Sequence, residues 1–202
     1  MQESGPARPC RTLFIRNVDY STSAAEIEAL FAPFGEIKTV FDLISTRGLI
    51  FLTFYDLRSS QLALSALSKS VFKNRNIDVH FSTPKASDYT KQCTRDNNQG
   101  TLQISTIKNG KLISATLRAH LGIHGAIKDL RIPGDSTRAY VEYFDSRDVA
   151  RCYDFIEKTP EFERDRLECK YIWDDKMAKS LAIVSSYRFF GMKPISDTMR
   201  AY

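Results

Sequence analysis

Two hundred and two residues, 43% hydrophobic and 26% charged, make a globular chain long enough for one large domain or two of roughly 100 residues, and exclude disorder over most of the length. The formal net charge of +5 is spread over both halves, so there is no basic or acidic tail, and so small a surplus favours an anionic partner only weakly. Cys10, Cys93, Cys152 and Cys169 form no C-x-x-C pair, and neither a signal peptide nor an apolar run of about 18 residues is present, which predicts free thiols, an intracellular setting, no structural zinc and no membrane partner.

After an N-terminal tail over 1–10, Leu13 to Val18 is a short β-rich run followed by a turn at Asp19. Ser23 and Glu26 have the spacing of a capping box, in which each side chain satisfies a free backbone donor of the other residue at a helix start. Ile27, Leu30, Phe31 and Phe34 then recur at i, i+3, i+4 and i+7, one apolar helical face that ends at Gly35. Strands are predicted over Ile37 to Ile44 and Leu49 to Tyr55. Asp56 caps a second helix with Ala63, Ala66 and Leu67 inward, and Ile77 to Phe81 closes the unit as a strand. The order β-α-β-β-α-β is the split-βαβ plan of ferredoxin-like domains.

Residues 84–99 contain no Val, Ile or Leu and are rich in Lys, Asp, Asn, Ser and Thr, so they read as a flexible linker between units at 11–83 and 100–173. The second unit repeats the first at an offset of 89 residues. Thr12-Leu13-Phe14-Ile15 aligns with Thr101-Leu102-Gln103-Ile104, Phe51 to Asp56 aligns with Tyr140 to Asp145, and Arg58 falls on Arg147. Its strands are predicted at Leu102 to Ser105, Ile127 to Ile132, Ala139 to Phe144 and Leu167 to Ile172, with helices near Leu112 to Leu121 and Ser146 to Lys158. Beyond it, Met177, Leu181, Val184 and Tyr187 recur at helical spacing. They predict a C-terminal amphipathic helix over 174–190, stopped by Gly191 and Pro194, before a tail over 191–202. Its apolar stripe has to be covered, by the second unit, by a protein partner or by a second copy of the chain.

Four strands with two helices on one face leave the other face of each sheet open. Neighbouring strand residues point to opposite sides, so with Leu13, Ile15, Ile50, Leu52 and Phe54 in the core, Phe14, Arg16, Arg47, Leu49, Phe51 and Thr53 point outward. Phe41, Asp78 and His80 share that face from the outer strands, and Lys85, Lys91 and Arg95 stand in the linker next to it. Exposed phenylalanines on central strands either are covered by a further element or stack on unpaired bases. In the second unit the same alternation replaces the rings by Gln103 and Arg138 and leaves only Tyr140, with Arg131, Glu142, Glu168 and Lys170 around it.

Leu-Phe-Ile-Arg-Asn-Val at 13–18 and Arg-Gly-Leu-Ile-Phe-Leu-Thr-Phe at 47–54 resemble the two ribonucleoprotein motifs of the RNA recognition motif family. The resemblance implies an α+β fold of two such ferredoxin-like domains in tandem. It implies that Phe14 and Phe51 stack on two neighbouring bases and that Arg47 pairs with phosphate or base edges. Leu49 stands where the family usually has a third aromatic, which weakens the sugar contact. The expected RNA-binding set is Phe14, Arg16, Phe41, Arg47, Leu49, Phe51, His80 and Lys85, with Arg138, Tyr140 and Lys170 of the second unit adding phosphate and single-base contacts. Within that family, Thr12 to Val18, Phe31-Ala-Pro-Phe-Gly-Glu-Ile37, Tyr55-Asp-Leu-Arg58, Ile77 to Lys85 and Asn98 to Leu102 resemble the first two motifs of the Mei-two-like meiotic regulators. This implies a nuclear or cytoplasmic regulator of meiosis or differentiation that acts on single-stranded RNA. Members usually carry a third, C-terminal motif, so the chain reads as a fragment or a divergent member. The alternative is a protein-interaction or dimerisation module that docks a peptide or helix on the same sheet. No phosphate-cradling glycine loop, Cys/His cluster or local catalytic signature is present, so neither an enzyme nor a cofactor is expected.

Overall fold

Alternation of buried and part-exposed residues along Thr12–Arg16 (β1) and Leu49–Phe54 (β3) gives each strand one core face and one outer face. In the computed structural model these strands pair antiparallel, and with Ile37–Leu43 (β2) and Asp78–Phe81 (β6) they form a four-stranded sheet in the order β2-β3-β1-β6. The structure describes residues 8–82, 90–108, 110–134, 136–159, 161–162 and 165–174. Lys85 lies outside them, as does the predicted C-terminal helix beyond Asp174.

The helix Ala24–Phe31 (α1) begins with the predicted capping box. Ser23 Oγ accepts from the Glu26 amide at 3.3 Å, and the Ser23 amide donates to Glu26 Oε2 at 2.9 Å. Its Ile27 and Phe31 meet Leu13, Ile15, Ile50, Leu52, Phe54 and Val79 in the first core. Asp56 caps Leu57–Leu67 (α3) by accepting from the Arg58 amide at 2.7 Å. Ala63 of α3 faces inward as predicted, but Ala66 is exposed, and Leu57, Ser59 and Ser60 complete the buried side. The second predicted strand ends at Leu43 rather than Ile44, because Ile44–Arg47 coils into a single helical turn (α2) closed by Gly48 at φ 62°. A small hairpin, Val71–Phe72 (β4) with Arg75–Asn76 (β5), precedes β6.

The second unit repeats the plan. Thr101–Thr106 (β7), Ser114–Gly122 (α4), Ile127–Arg131 (β8), Arg138–Tyr143 (β9), Ser146–Lys158 (α5), Glu161–Phe162 (β10) and Asp165–Ile172 (β11) form a five-stranded sheet ordered β10-β11-β7-β9-β8, with both helices on one face. Leu102, Ile104, Val141 and Tyr143 pack against Leu117, Leu121, Val149, Cys152 and Ile156. The buried Tyr143 hydroxyl donates to the Leu121 carbonyl at 2.8 Å, as a buried phenol requires. No helix among the described residues is long and apolar enough to cross a membrane.

The repeated Tyr-Asp-Leu-Arg and Phe-Asp-Ser-Arg segments meet across a pseudo-twofold. The Leu57 amide donates to the Phe144 carbonyl at 2.9 Å, and the Ser146 amide to the Tyr55 carbonyl at 3.0 Å. Arg58 lies over the Phe144 ring, 4.6 Å from its centroid, and Arg147 over the Tyr55 ring at 4.3 Å, while each guanidinium is held by its own aspartate at 2.6 and 2.7 Å. Arg11 runs through the centre, 7% exposed. It donates to the carbonyls of Tyr55 (3.0 Å), Tyr143 (2.6 Å), Phe144 (2.8 Å) and Gln99. A buried cation is tolerated only with such a full set of acceptors.

The second half of the stretch read as a flexible linker is bonded in place. Asn97 Nδ2 donates to the Gln92 carbonyl at 3.2 Å, Asn98 Oδ1 accepts from the Gly100 amide at 3.1 Å, and Trp173 Nε1 donates to the Lys91 carbonyl at 3.0 Å.

Candidate nucleic-acid interface

The register of the first sheet sorts its open face into three rows. Thr39, Thr53, Thr12 and Ser82 form a row of hydroxyls, with Thr12 Oγ1 and Thr53 Oγ1 2.9 Å apart. Phe41, Phe51, Phe14 and His80 form the next. Leu43, Leu49, Arg16 and Asp78 form the third. The aromatic row therefore crosses all four strands. Phe14 and Phe51 lie stacked with centroids 4.8 Å apart and planes at 22°, and Phe41 tilts against Phe51 at 6.2 Å. Phe41 is 62% exposed.

Arg16 lies 5.7 Å from the centroid of the Phe14 ring and pairs with Asp78. His80 Nε2 lies 2.7 Å from the other Asp78 oxygen. The hydrogen bond from His80 and the pairing with Arg16 hold the Asp78 carboxyl below the usual carboxylate range. Asp78 thus acts as the pivot that orients a cation and an imidazole beside the rings.

The seven first-unit residues named from the sequence, Phe14, Arg16, Phe41, Arg47, Leu49, Phe51 and His80, come together on or beside this face, and Lys85 of the linker is not described. Arg47 arrives differently from the expectation. It belongs to the turn α2 rather than to β3, so its exposed side chain projects from the sheet's end and not from its surface. Sequence reasoning missed Tyr20 and Arg75, which stand at the same end. Arg75 pairs with Asp19 at 3.1 Å and lies 5.9 Å from the centroid of the Tyr20 ring. An isolated Tyr in one turn and an Arg in another carry no periodic signal that could join them.

The second sheet departs from the expectation at Tyr140. Its register puts Tyr140 on the face with Gln103, Arg131 and Lys170, but it is only 6% exposed and packs with Ile172. With the linker residues Gln92, Cys93, Thr94 and Arg95 it lines a cavity of about 580 Å³. Alternation gives the side on which a residue lies and says nothing of a returning chain segment. Arg138 and Lys170 are exposed, while Glu142 is buried against Lys128 at 2.7 Å. Among the described residues this face has charge but no exposed ring.

Residues 13–78 match the family model described as RNA recognition motif. Over that span the first unit is similar to the RNA recognition motif family. Its matched span runs from the first core residue of β1 to the start of β6. The chain is also similar to Protein MEI2-like 5 of Arabidopsis thaliana, at 34% identity over 140 residues, 69% of this chain and 17% of that protein. It is 39% identical over 109 residues to Protein MEI2-like 2 of the same plant, 52% of this chain and 12% of that protein. The chain thus spans less than a fifth of the length of these relatives. Among solved structures, a chain titled Sxl-lethal protein/RNA complex aligns with 80% of this chain and 99% of its own at 19% identity and a TM-score of 0.35. The RNA recognition motif of S. pombe Puf1 aligns with 36% of this chain and 99% of its own at 29% identity and a TM-score of 0.34.

Proposed function

We propose that the chain is a non-catalytic, single-stranded RNA-binding regulator of the kind the MEI2-like resemblance implies, with the first recognition motif as its main RNA platform. Phe14 and Phe51 stack on two neighbouring bases, Phe41 extends the platform, and Arg16, Arg47, Leu49 and His80 contact sugar, phosphate or base edges. Arg138 and Lys170 of the second unit, with Lys85, add phosphate contacts. Tyr140, now in a packed position, adds no stacking surface. The division into units at 11–83 and 100–173, joined by 84–99, is part of this reading.

The observation that carries the proposal is the aromatic row. Rings on the open face of the sheet leave apolar surface in water, and bases stacked on such rings are each held by roughly 1 to 3 kcal/mol. Replacement of both Phe14 and Phe51 by Ala should weaken binding of a fluorescein-labelled random RNA octamer at least tenfold. The thermal melt should stay near that of the wild type, because neither ring belongs to the buried core. An unchanged anisotropy titration in that double variant would overturn the proposal.

A further inference from the structure

The aromatic row has two exits, and they differ in charge. Beyond the hydroxyl row lies the cleft between the units, where Lys38 and Lys91 are matched by Asp96 and Asp174, and Arg11 is occupied by carbonyl oxygens. Beyond the row of Leu49 and Arg16, at the opposite end, lies a pocket of about 350 Å³ lined by Arg16, Asn17, Tyr20, Arg47, Arg75 and Asp78. Three arginines and one carboxylate line it, and of these Arg16 is paired with Asp78 while Arg75 is paired with Asp19 outside the lining. Among the described residues Arg47 has no ion-pair partner. A phosphate is therefore drawn to this end rather than to the cleft.

The pocket is also built, in the sense that local bonds fix its walls. Asn17, left-handed at φ 57°, donates from Nδ2 to the Asn76 carbonyl at 3.0 Å, which ties the loop after β1 to the hairpin that carries Arg75. The Val18 amide donates to the Gly48 carbonyl at 3.0 Å, which ties the same loop to the turn that carries Arg47. Asp19 Oδ1 accepts from both the amide and the hydroxyl of Ser21, at 2.9 and 2.7 Å, and its other oxygen holds Arg75. Between these walls the Tyr20 ring is 56% exposed. An aromatic ring beside converging arginines suits a base and its phosphate together. Phe14 and Arg16 are two residues apart on β1, about 6.6 Å along the strand, so the step from ring to pocket is one nucleotide of an extended strand.

We propose that this pocket holds the nucleotide next to the two stacked on Phe14 and Phe51, with its base on Tyr20 and its phosphate between Arg47 and Arg75. The proposal rests on the stacking platform and gives it a third subsite and a direction of exit.

The test is an anisotropy titration of the full chain with the labelled random RNA octamer at several salt concentrations. Arg47→Gln and Arg75→Gln should each lower affinity three- to tenfold and reduce the slope of log K against log salt by about 0.7, the value for one lost phosphate contact on a single strand. Tyr20→Ala should lower affinity to a similar degree and leave the slope unchanged. Among the described residues the Arg47 side chain makes no hydrogen bond or ion pair, so the result for Arg47→Gln stands even where Arg75→Gln loosens the loop held through Asp19. Wild-type affinity and slope in the Arg47 and Tyr20 variants, beside a Phe14→Ala/Phe51→Ala protein that no longer binds, overturns the pocket and leaves the platform standing. Retained binding in the double phenylalanine variant overturns the platform itself.

Discussion

Asp174 shows how a single side chain ties the end of β11 to the seam between the units. Its carboxylate accepts from Thr101 Oγ1 at 2.6 Å, and its carbonyl accepts from Arg8 at 3.2 Å. Burial, with Glu142 nearby, pushes the carboxyl up from an ordinary 3.8 to about 6. A carboxyl with a raised folded-state pKa binds its proton more tightly when folded, so its contribution is complete below the ordinary value and lost as pH rises through about 6. Asp174→Asn should therefore match the wild type near pH 4 and become the more stable protein by pH 7.5. The gain expected for a shift from 3.8 to about 6 is about 3 kcal/mol, and thermal melts at the two pH values check it. A variant that is equally stable relative to the wild type at both pH values would show that the carboxylate is solvated in both states. At the same scale, the outward side chains of β1 and β3 were legible because a strand alternates, whereas the burial of Tyr140 was not, because its cover comes from residues far along the chain.

Among elements, the turn α2 decides where Arg47 stands. Ile44-Ser-Thr-Arg47 contains β-branched residues, so by propensity it extends the preceding strand. The structure coils it instead, because Gly48 takes φ 62° and a Cβ there would lie 3.0 Å from the Val18 carbonyl oxygen and 3.6 Å from the Tyr20 ring. Gly48→Ala should cost about 1 to 2 kcal/mol in urea denaturation and should also weaken RNA binding, since the turn carries Arg47 and backs Tyr20. An unaltered denaturation midpoint would mean that the turn relaxes without loss. The capping box of α1 and the Asp56 cap of α3 were readable from four-residue spacings because their donors and acceptors are local.

For the whole molecule, the relative placement of the two sheets is set by Arg11 and by the crossed Arg58–Phe144 and Arg147–Tyr55 contacts. Gly100 makes room for that arrangement: at φ 105° it has no side chain, and a Cβ there would fall 2.3 Å from an Arg11 nitrogen. Arg11→Met should remove about 3 kcal/mol of stability, since buried carbonyl oxygens lose a charged donor. It should also let the units separate, read as a larger radius of gyration by small-angle scattering and as two unfolding transitions in place of one. An Arg11→Met protein with unchanged scattering and a single transition would show that the crossed arginine–ring contacts suffice.

The order of elements, the repeat and the ring-bearing face followed from the sequence alone, because helix and strand periodicity and cap spacing act over a few residues. Even the seam was visible there as the repeated Tyr55-to-Arg58 and Phe144-to-Arg147 segments, though not its purpose. Tertiary structure alone decided that these segments bind each other, that Tyr140 is packed away, and that Tyr20, Arg47 and Arg75 meet in one pocket. Each of those outcomes depends on side chains brought together by chain reversal, and no local pattern records which distant loops will share an end of a sheet.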